Sequence, residues 1–427
     1  MYLIKINTLN LEYFIAKRLT TAKSTKSSIS KPIIKIAIAA IAIGIIMMII
    51  SVATGIGLQQ KIRQKVAAFN GHIIISIFDD NQSIVSKVPV STDQDFYPKF
   101  KSVDGIKHIQ AVATKAGIIR TEDSFEGVVF KGVSDDFLWD NIEEYLIEGR
   151  KPTIDKKVSE NNEIVISEYL ANRLFLKNGD TFNTFFMKED SNQPPNLRVF
   201  KIVGIYNSGF QEFDATYILG DIRHIQRMNK WKPDQIGAFE VFVDDFTQIQ
   251  LKGQEVYDNT FNKKNPDQTL DTQTIVDKYF YIFEWLQLFD FNIIVILIIM
   301  IVVATINMAV ALLVLILERT QMIGILKALG ASNWNIRKIF LFNAFHIILR
   351  GLFWGNLIAI SLIVLQQQFG IITLNPENYY VTVAPVDFNW LYFLLINVGT
   401  VLISLLVLLI PSFIVTRISP VKAIRFD

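Results

Sequence analysis

Four stretches of the chain contain no Asp, Glu, Lys or Arg: Ile36–Ile56, Phe291–Leu317, Leu352–Phe369 and Leu391–Val415. A helix rises ~1.5 Å per residue and the hydrocarbon core of a bilayer is ~30 Å thick, so about 20 apolar residues cross it. Lipid offers the backbone no hydrogen-bond partner, and a run of this kind meets that condition by becoming a helix. A soluble protein can bury one such helix in a large core. Four of them, one 27 residues long, predict an integral membrane α-helical protein. The first run starts after 35 residues, exceeds the apolar region of a signal peptide and closes on no A-x-A site, so it reads as a retained span.

Orientation follows from Lys and Arg in the short connections. The N-terminal arm carries Lys5, Lys17, Arg18, Lys23, Lys26 and Lys31; the connection after the second span carries Arg319, Lys327, Arg337 and Lys338; the tail carries Arg417, Lys422 and Arg425. The connection 370–389 has neither residue type. Both termini and the 318–340 region are therefore expected in the cytoplasm, with a 1 + 3 topology. The expected division is an arm at 1–32, spans at 33–57, 285–317, 333–369 and 390–416, an extracytoplasmic domain at 58–284, a cytoplasmic helix at 318–332, an external loop at 370–389 and a tail at 417–427.

The 58–284 segment has ordinary globular composition. Alternating runs at His72–Phe78, Gly127–Val133, Glu163–Ser167, Val199–Tyr206 and Ala238–Val243 predict strands. Ser167–Leu176 and Leu219–Asn229 predict helices, the first closed by a glycine cap in "KNGD". The order is α+β, and the length suggests two subdomains. "NTFFMKEDSNQPPNLRVFKIVGIY" predicts two strands joined by a tip that Pro194 and Pro195 stiffen, because proline cannot donate to a ladder. That hairpin is either an ordinary surface feature or a rigid arm for a partner protein.

The residues for chemistry are missing. With no cysteine there is no disulfide, thiolate metal site or cysteine nucleophile. The four histidines, His72, His108, His224 and His346, form no ligand pair. A net charge of +2 gives no field that would draw nucleic acid. "GVSDD" (Gly132–Asp136) lacks the closing glycine of a nucleophile elbow, and the acidic pairs such as Asp135–Asp136 read as solvated loop carboxylates. In Gly324–Ser332 an alanine follows the second glycine where a phosphate loop needs lysine, so this chain holds no nucleotide. Arg350 lies at the edge of the third run, where a long side chain snorkels to the interface. Gly351, Gly355 and Ala359 form a small-xxx-small stripe for close helix packing, and Asn307 could hydrogen-bond across helices.

"ERTQMIGILKALGASNWNIRKIF" (Glu318–Phe340) carries five charges between two apolar runs. Met322, Ile325, Leu326 and Leu329 recur at helical spacing. Lys327 falls in the last turn, where a cation suits the helix dipole. Gly330 ends the helix, and Ser332 or Asn333 can cap the next. This amphipathic knob, tied closely to two spans, suits either a loop lying on the lipid interface or a lever pressing into a cytoplasmic partner.

The stretch from Glu318 to Ser332 resembles the signature of FtsX/MacB-type ABC permeases, where it forms the coupling helix that docks on the ATPase. "FIAKRL" (Phe14–Leu19), the segment Gly57–Ser76, "EIVISEYLANRLFLKNGD" (Glu163–Asp180), Phe200–Ile222 and "SPVKAIRFD" (Ser419–Asp427) resemble the lipoprotein-releasing LolC and LolE branch. The resemblance assigns ATPase coupling to Glu318, Arg319, Met322, Gly324, Leu326, Lys327, Ala328, Leu329 and Gly330. It assigns contact with a periplasmic lipoprotein chaperone to Pro194, Pro195, Asn196, Leu197 and Arg198, with "PPNLR" an approximate fit. It implies a permease subunit of the bacterial inner membrane, not itself an enzyme and without a cofactor of its own. ATP and Mg would belong to a pair of ABC ATPase subunits, and a second permease copy or homologue would complete the path. The expected work is extraction of lipoproteins by mechanical transmission. Alternatives within the resemblance are an FtsX-like regulator of a cell-wall hydrolase and a MacB-like exporter of peptides or small molecules.

Overall fold

The computed structural model describes residues 12, 30–78, 83–122, 124–155, 160–188, 193–260 and 269–418. "FIAKRL" at Phe14–Leu19 and "SPVKAIRFD" at Ser419–Asp427 lie outside them. The chain divides into two compact units, one of residues 1–59, 286–372 and 383–427 and the other of residues 60–285 and 373–382.

The first unit is helical. Its long elements are the helix Ser30–Asn70 (α1), whose last residues belong to the second unit, and further helices that follow the α+β segment. In chain order the intervening segment contributes Glu168–Leu174 (α2), Arg223–Met228 (α3) and Ile249–Asn259 (α4). Then come Phe280–Glu318 (α5), Thr320–Ala328 (α6), Asn333–Phe369 (α7) and Trp390–Ser412 (α8), with a short turn at Ile414–Arg417. Four helices are long and apolar enough to cross a membrane: Pro32–Asn70, Phe280–Glu318, Asn333–Phe369 and Trp390–Arg417. Each is longer than its charge-free run, because helix geometry continues into polar sequence once packing supports it.

The core of this unit brings Ile41, Ile45 and Met48 of α1 together with Met308 and Leu312 of α5, Ile347 and Ile348 of α7, and Leu408 of α8. The glycine stripe on α7 faces α1. A Cβ at Gly351 would stand 2.6 Å from Ile41 Cγ2, and one at Gly355 would stand 2.9 Å from the Ala42 carbonyl oxygen. Ala359 is fully buried. Close backbone approach of this kind suits a medium where packing replaces the hydrophobic effect as the attraction between helices. Between spans, Asn356 Nδ2 donates a hydrogen bond to Asn397 Oδ1 at 2.7 Å, which links α7 to α8.

The second unit is built on strands Ile73–Ile77 (β1), Val90–Ser91 (β2), Ile106–Arg120 (β3), Phe125–Val133 (β4), Leu146–Gly149 (β5) and Glu163–Ser167 (β6). They continue as Thr181–Phe186 (β7), Asn196–Tyr206 (β8), Tyr217–Asp221 (β9), Gln235–Ile236 (β10), Ala238–Val243 (β11) and Leu270–Thr274 (β12). Ten described strands share one sheet in the order β12-β1-β11-β3-β4-β9-β6-β8-β5, with β7 paired to β3 and β8; β2 and β10 form a small second ladder. Where the length suggested two subdomains, β3 spans this sheet, pairing with β11 at one end and with β4 and β7 at the other.

Three local expectations change. Leu219–Asn229 is not one helix: Tyr217–Asp221 runs parallel to β4 as a strand, and the helix starts at Arg223. Ladder pairing at a fully buried strand outweighs the helical propensity of its leucine. The helix after Ser167 is capped at its C-terminus by Phe175 at φ 56°, while Gly179 serves a later turn at φ +96°. Asp136 is no solvated loop carboxylate: it accepts hydrogen bonds from Tyr97 Oη at 2.8 Å and the Ala111 amide at 3.0 Å.

Candidate functional site

The connection between α5 and α7 is short at both ends. Arg319, at φ −106° and ψ 19°, breaks α5 for one residue, and α6 resumes with the Ile323 amide donating to the Arg319 carbonyl at 3.0 Å. At the other end Gly330 sits at φ +88°. Its amide donates to the Lys327 carbonyl and the Ala331 amide to the Leu326 carbonyl, both at 3.0 Å. These two bonds form a Schellman motif, in which a left-handed residue lets the chain satisfy the last helical carbonyls. Ser332 then caps α7, its Oγ accepting from the Asn335 amide at 3.2 Å. Asn333 is the first helical residue rather than the cap.

The faces of α6 differ from the stripe read in the sequence. Ile323 and Gly324 are buried, and Met322 and Leu326 pack partly against the core of the helical unit. Ile325 is 48% exposed and Leu329 79%. Ala328, Gly330 and Glu318 are exposed as well. The apolar spacing therefore splits into one side that holds the helix and one that leaves Ile325 and Leu329 exposed. Three- and four-residue spacing gave the period but not which half of a wide stripe the core takes.

Lys327 does more than complement its own helix. Its Nζ donates to the carbonyls of Val415 and Ile418, both at 2.7 Å, with Thr416 O at 3.5 Å. Ten residues on, Arg337 donates from Nε to Ser412 Oγ at 2.9 Å and from Nη2 to Leu409 O at 3.1 Å. Its guanidinium lies 4.0 Å from the centroid of the Phe413 ring and 5.1 Å from that of Trp334. Sequence reading counted Arg337 only as a topological charge. Pro411 within α8 was the available signal, since a proline disturbs the carbonyl ladder and leaves acceptors for other groups.

In the second unit, β7 and β8 form the expected hairpin, with Phe186 opposite Asn196 and Phe185 opposite Leu197. Asn196, Leu197 and Arg198 lie in the strand and not in the tip; Pro194 and Pro195 precede it and are exposed. Residues 189–192 of the tip lie outside the described residues. Leu197 and Val199 are about half exposed and alternate with the buried face, as strand geometry requires.

Elsewhere in this unit a charged cluster holds the end of α1. Lys131 Nζ donates to the Phe69 carbonyl and pairs with Glu240, whose other oxygen accepts from Gln110 Nε2 at 2.8 Å. Residues 373–382 also pack here: Tyr380 stacks on Phe210 with centroids 4.6 Å apart, and Lys65 Nζ donates to the Tyr380 carbonyl at 3.1 Å. Burial, aided by Lys107, pushes the His72 imidazole down to about 4, and the neutral ring accepts the Val243 amide at Nδ1. Among the described residues no group of three His, Asp or Glu side chains could hold a metal ion.

Residues 36–257 match the MacB-like periplasmic core domain, and residues 294–420 match the FtsX-like permease C-terminal region. The chain is 21% identical over 443 residues to the lipoprotein-releasing system transmembrane protein LolE of Haemophilus influenzae, with 97% of this chain and 99% of that protein covered. It is 23% identical over 426 residues to LolC of the same organism, covering 98% and 99%. Among solved structures, the periplasmic region of MacB from Actinobacillus actinomycetemcomitans aligns at TM-score 0.34 and 14% identity, covering 51% of this chain and 95% of that one. The extracellular domain of the noncanonic ABC-type transporter YknZ from Gram-positive bacteria aligns at TM-score 0.33 and 16% identity, covering 48% and 99%.

Proposed function

Since the chain belongs to the family of ABC-transporter permeases that joins a MacB-like periplasmic core domain to an FtsX-like C-terminal region, we propose that it is the permease subunit of a lipoprotein-releasing complex of the bacterial inner membrane. The observation that carries the choice of branch is colinearity. The match to two lipoprotein-releasing transmembrane proteins runs through 97–98% of this chain and 99% of each relative, so the whole chain, and not one domain of it, supports the reading.

In this reading α6 faces the cytoplasm and docks on a separate ABC ATPase through Ile325, Ala328 and Leu329. ATP-driven closure of the ATPase pair displaces α6. The one-residue break at Arg319 and the capped turn at Gly330–Ser332 are too short to absorb that displacement, so it passes to α5 and α7. The large domain on the other side of the membrane changes state and lifts the lipid-anchored substrate from the outer leaflet. The β7–β8 tip, with Pro194 and Pro195 exposed, offers a stiff contact for a soluble acceptor of the lipoprotein. Two permease chains enclose the path, because the four candidate spans of one copy are too few to surround it.

The test is release of a fluorescent lipoprotein from proteoliposomes holding this chain, its pairing permease and the ATPase. Ile325→Asp with Leu329→Asp is expected to abolish ATPase co-purification and ATP-dependent release while the chain still inserts. The lever reading fails if both activities survive. Crosslinking from Asn196 separates the branches: a lipoprotein acceptor supports release, and a cell-wall hydrolase supports regulation instead.

A further inference from the structure

We infer that Lys327 is a positioning residue that fastens the C-terminal end of α8 to α6, so that the ATPase stroke is delivered to α8 as well as to α5 and α7. The inference rests on the reading of α6 as the element that receives that stroke.

Near the end of α8, Pro411 has no N–H, and beyond it the Phe413 amide bonds the Ile410 carbonyl at 3.1 Å, one residue short of the α-helical partner. The chain beyond it closes with the tighter three-residue bonds, such as the Ile418 amide to the Val415 carbonyl at 3.4 Å, and its carbonyls keep lone pairs for other donors. Side chains take them. Leu409 O accepts from Ser412 Oγ at 2.7 Å and from Arg337 Nη2 at 3.1 Å. Val415 O and Ile418 O, after the short turn Ile414–Arg417, accept from Lys327 Nζ. An ammonium has three N–H donors, and three carbonyls, those of Val415, Thr416 and Ile418, lie at 2.7, 3.5 and 2.7 Å. A helix C-terminus carries partial negative charge, so the cation is held by the dipole as well as by hydrogen bonds.

Lys327 is on α6, one turn before the Gly330 cap, and Arg337 is in the second turn of α7. From either side of the capped turn, Arg337 holds the last turn of α8 and Lys327 holds the short turn that directly follows it, while Val415 is buried with Ile323, Ile336 and Phe340 in one apolar cluster. Helix α6, the start of α7 and the end of α8 are thus one block. Without Lys327, α6 would remain covalently joined to α5 and α7 and its exposed face would keep Ile325 and Leu329, but the polar tie to α8 would be gone.

The chain has no cysteine, so a single introduced thiol is the one labelling site on this chain, read after it is separated from the ATPase. Val415→Cys is introduced into the full chain and assembled with its ATPase; Lys327→Met and Lys327→Arg are then compared on that parent. Met keeps the length of the side chain and loses the donors, whereas Arg keeps cationic donors. Labelling of the introduced thiol by a water-soluble maleimide is expected to rise about tenfold in Lys327→Met, equivalent to ~1.4 kcal/mol and within what a cation at a partly buried helix end contributes. Lys327→Arg should stay near the parent rate. In the same preparations, compared at matched amounts of co-purified ATPase, Lys327→Met should release fewer lipoproteins per ATP hydrolysed, with Lys327→Arg restoring the ratio. Unchanged thiol labelling in Lys327→Met overturns the clamp. Faster labelling with an unchanged release-to-hydrolysis ratio overturns the positioning role. Loss of co-purification in the parent chain would instead defeat the coupling reading, and the labelling comparison would still decide the clamp.

Discussion

Replacing Lys131 by methionine should destabilise the α+β domain severely, and the structure indicates by how much. The side chains of Lys131 and Glu240 are 3% and 6% exposed. They lie on β4 and β11, and Lys131 also holds the Phe69 carbonyl at the end of α1. With the lysine gone, Glu240 keeps the Gln110 amide as a hydrogen-bond partner and Lys278 as a more distant counter-charge, on the wall of a cavity that it shares with Lys131. Removing one partner of a buried pair costs about 3–5 kcal/mol, because an uncompensated charge is left behind. For a domain of this size each kcal/mol moves the midpoint by about 2–4 °C, so a fall of roughly 6–20 °C is expected. Adding Glu240→Gln to Lys131→Met removes the stranded charge and keeps a hydrogen-bonding group opposite Gln110, and it should recover at least half of the loss. The assay is thermal unfolding of the full chain in detergent, read by hydrogen exchange in peptides from β4, β11 and the end of α1. A fall below about 2 °C, the low end of what a single kcal/mol produces, or a double variant no better than the single one, would refute the reasoning.

Three further outcomes are expected. The His72 ring titrates at about 4 in the folded domain against ~6.5 unfolded, so the unfolded chain binds the proton first as pH falls. Stability from this residue is full above about pH 6.5 and is lost by up to about 3 kcal/mol on descending to about pH 4; His72→Asn should flatten denaturation midpoints across that window. At Gly330 a Cβ would meet nothing within 4 Å, but φ is +88°, so the cost of a side chain is backbone strain alone. Gly330→Val should lose ~1–2 kcal/mol and impair ATPase co-purification, while Gly330→Asn, which tolerates that region, should not. Gly355→Val should force α7 away from α1, against the Ala42 carbonyl, and lower detergent thermostability by ~1–3 kcal/mol. Gly355→Ala should cost less, because alanine regains ~1 kcal/mol of helix propensity.

How much of this was legible beforehand depends on the range over which each signal acts. The four spans could be read directly, since charge-free length measured against a bilayer is a property of contiguous residues. The end of α6 at Gly330 and the start of α7 at Ser332 were equally legible, because a cap is settled within about four residues by backbone conformation and one side-chain oxygen. Strands β6 and β11 announced themselves through alternating branched residues. Strand β3 did not: its "AVATKAG" centre is small and weakly β-forming, and only its neighbours β4, β7 and β11 make it a strand.

What tertiary structure decided are the pairings between distant residues. Lys131 meets Glu240 across 109 positions, and Lys327 meets the end of α8 across 88. No periodicity encodes such a meeting, because the free energy that selects it comes from a buried charge or a helix-end carbonyl that exists only once the helices and strands have packed. Composition and pattern alone decided that this chain lives in a bilayer with a large domain between its first two spans. Packing decided which half of the α6 stripe faces outward and which of its charges hold the helices together.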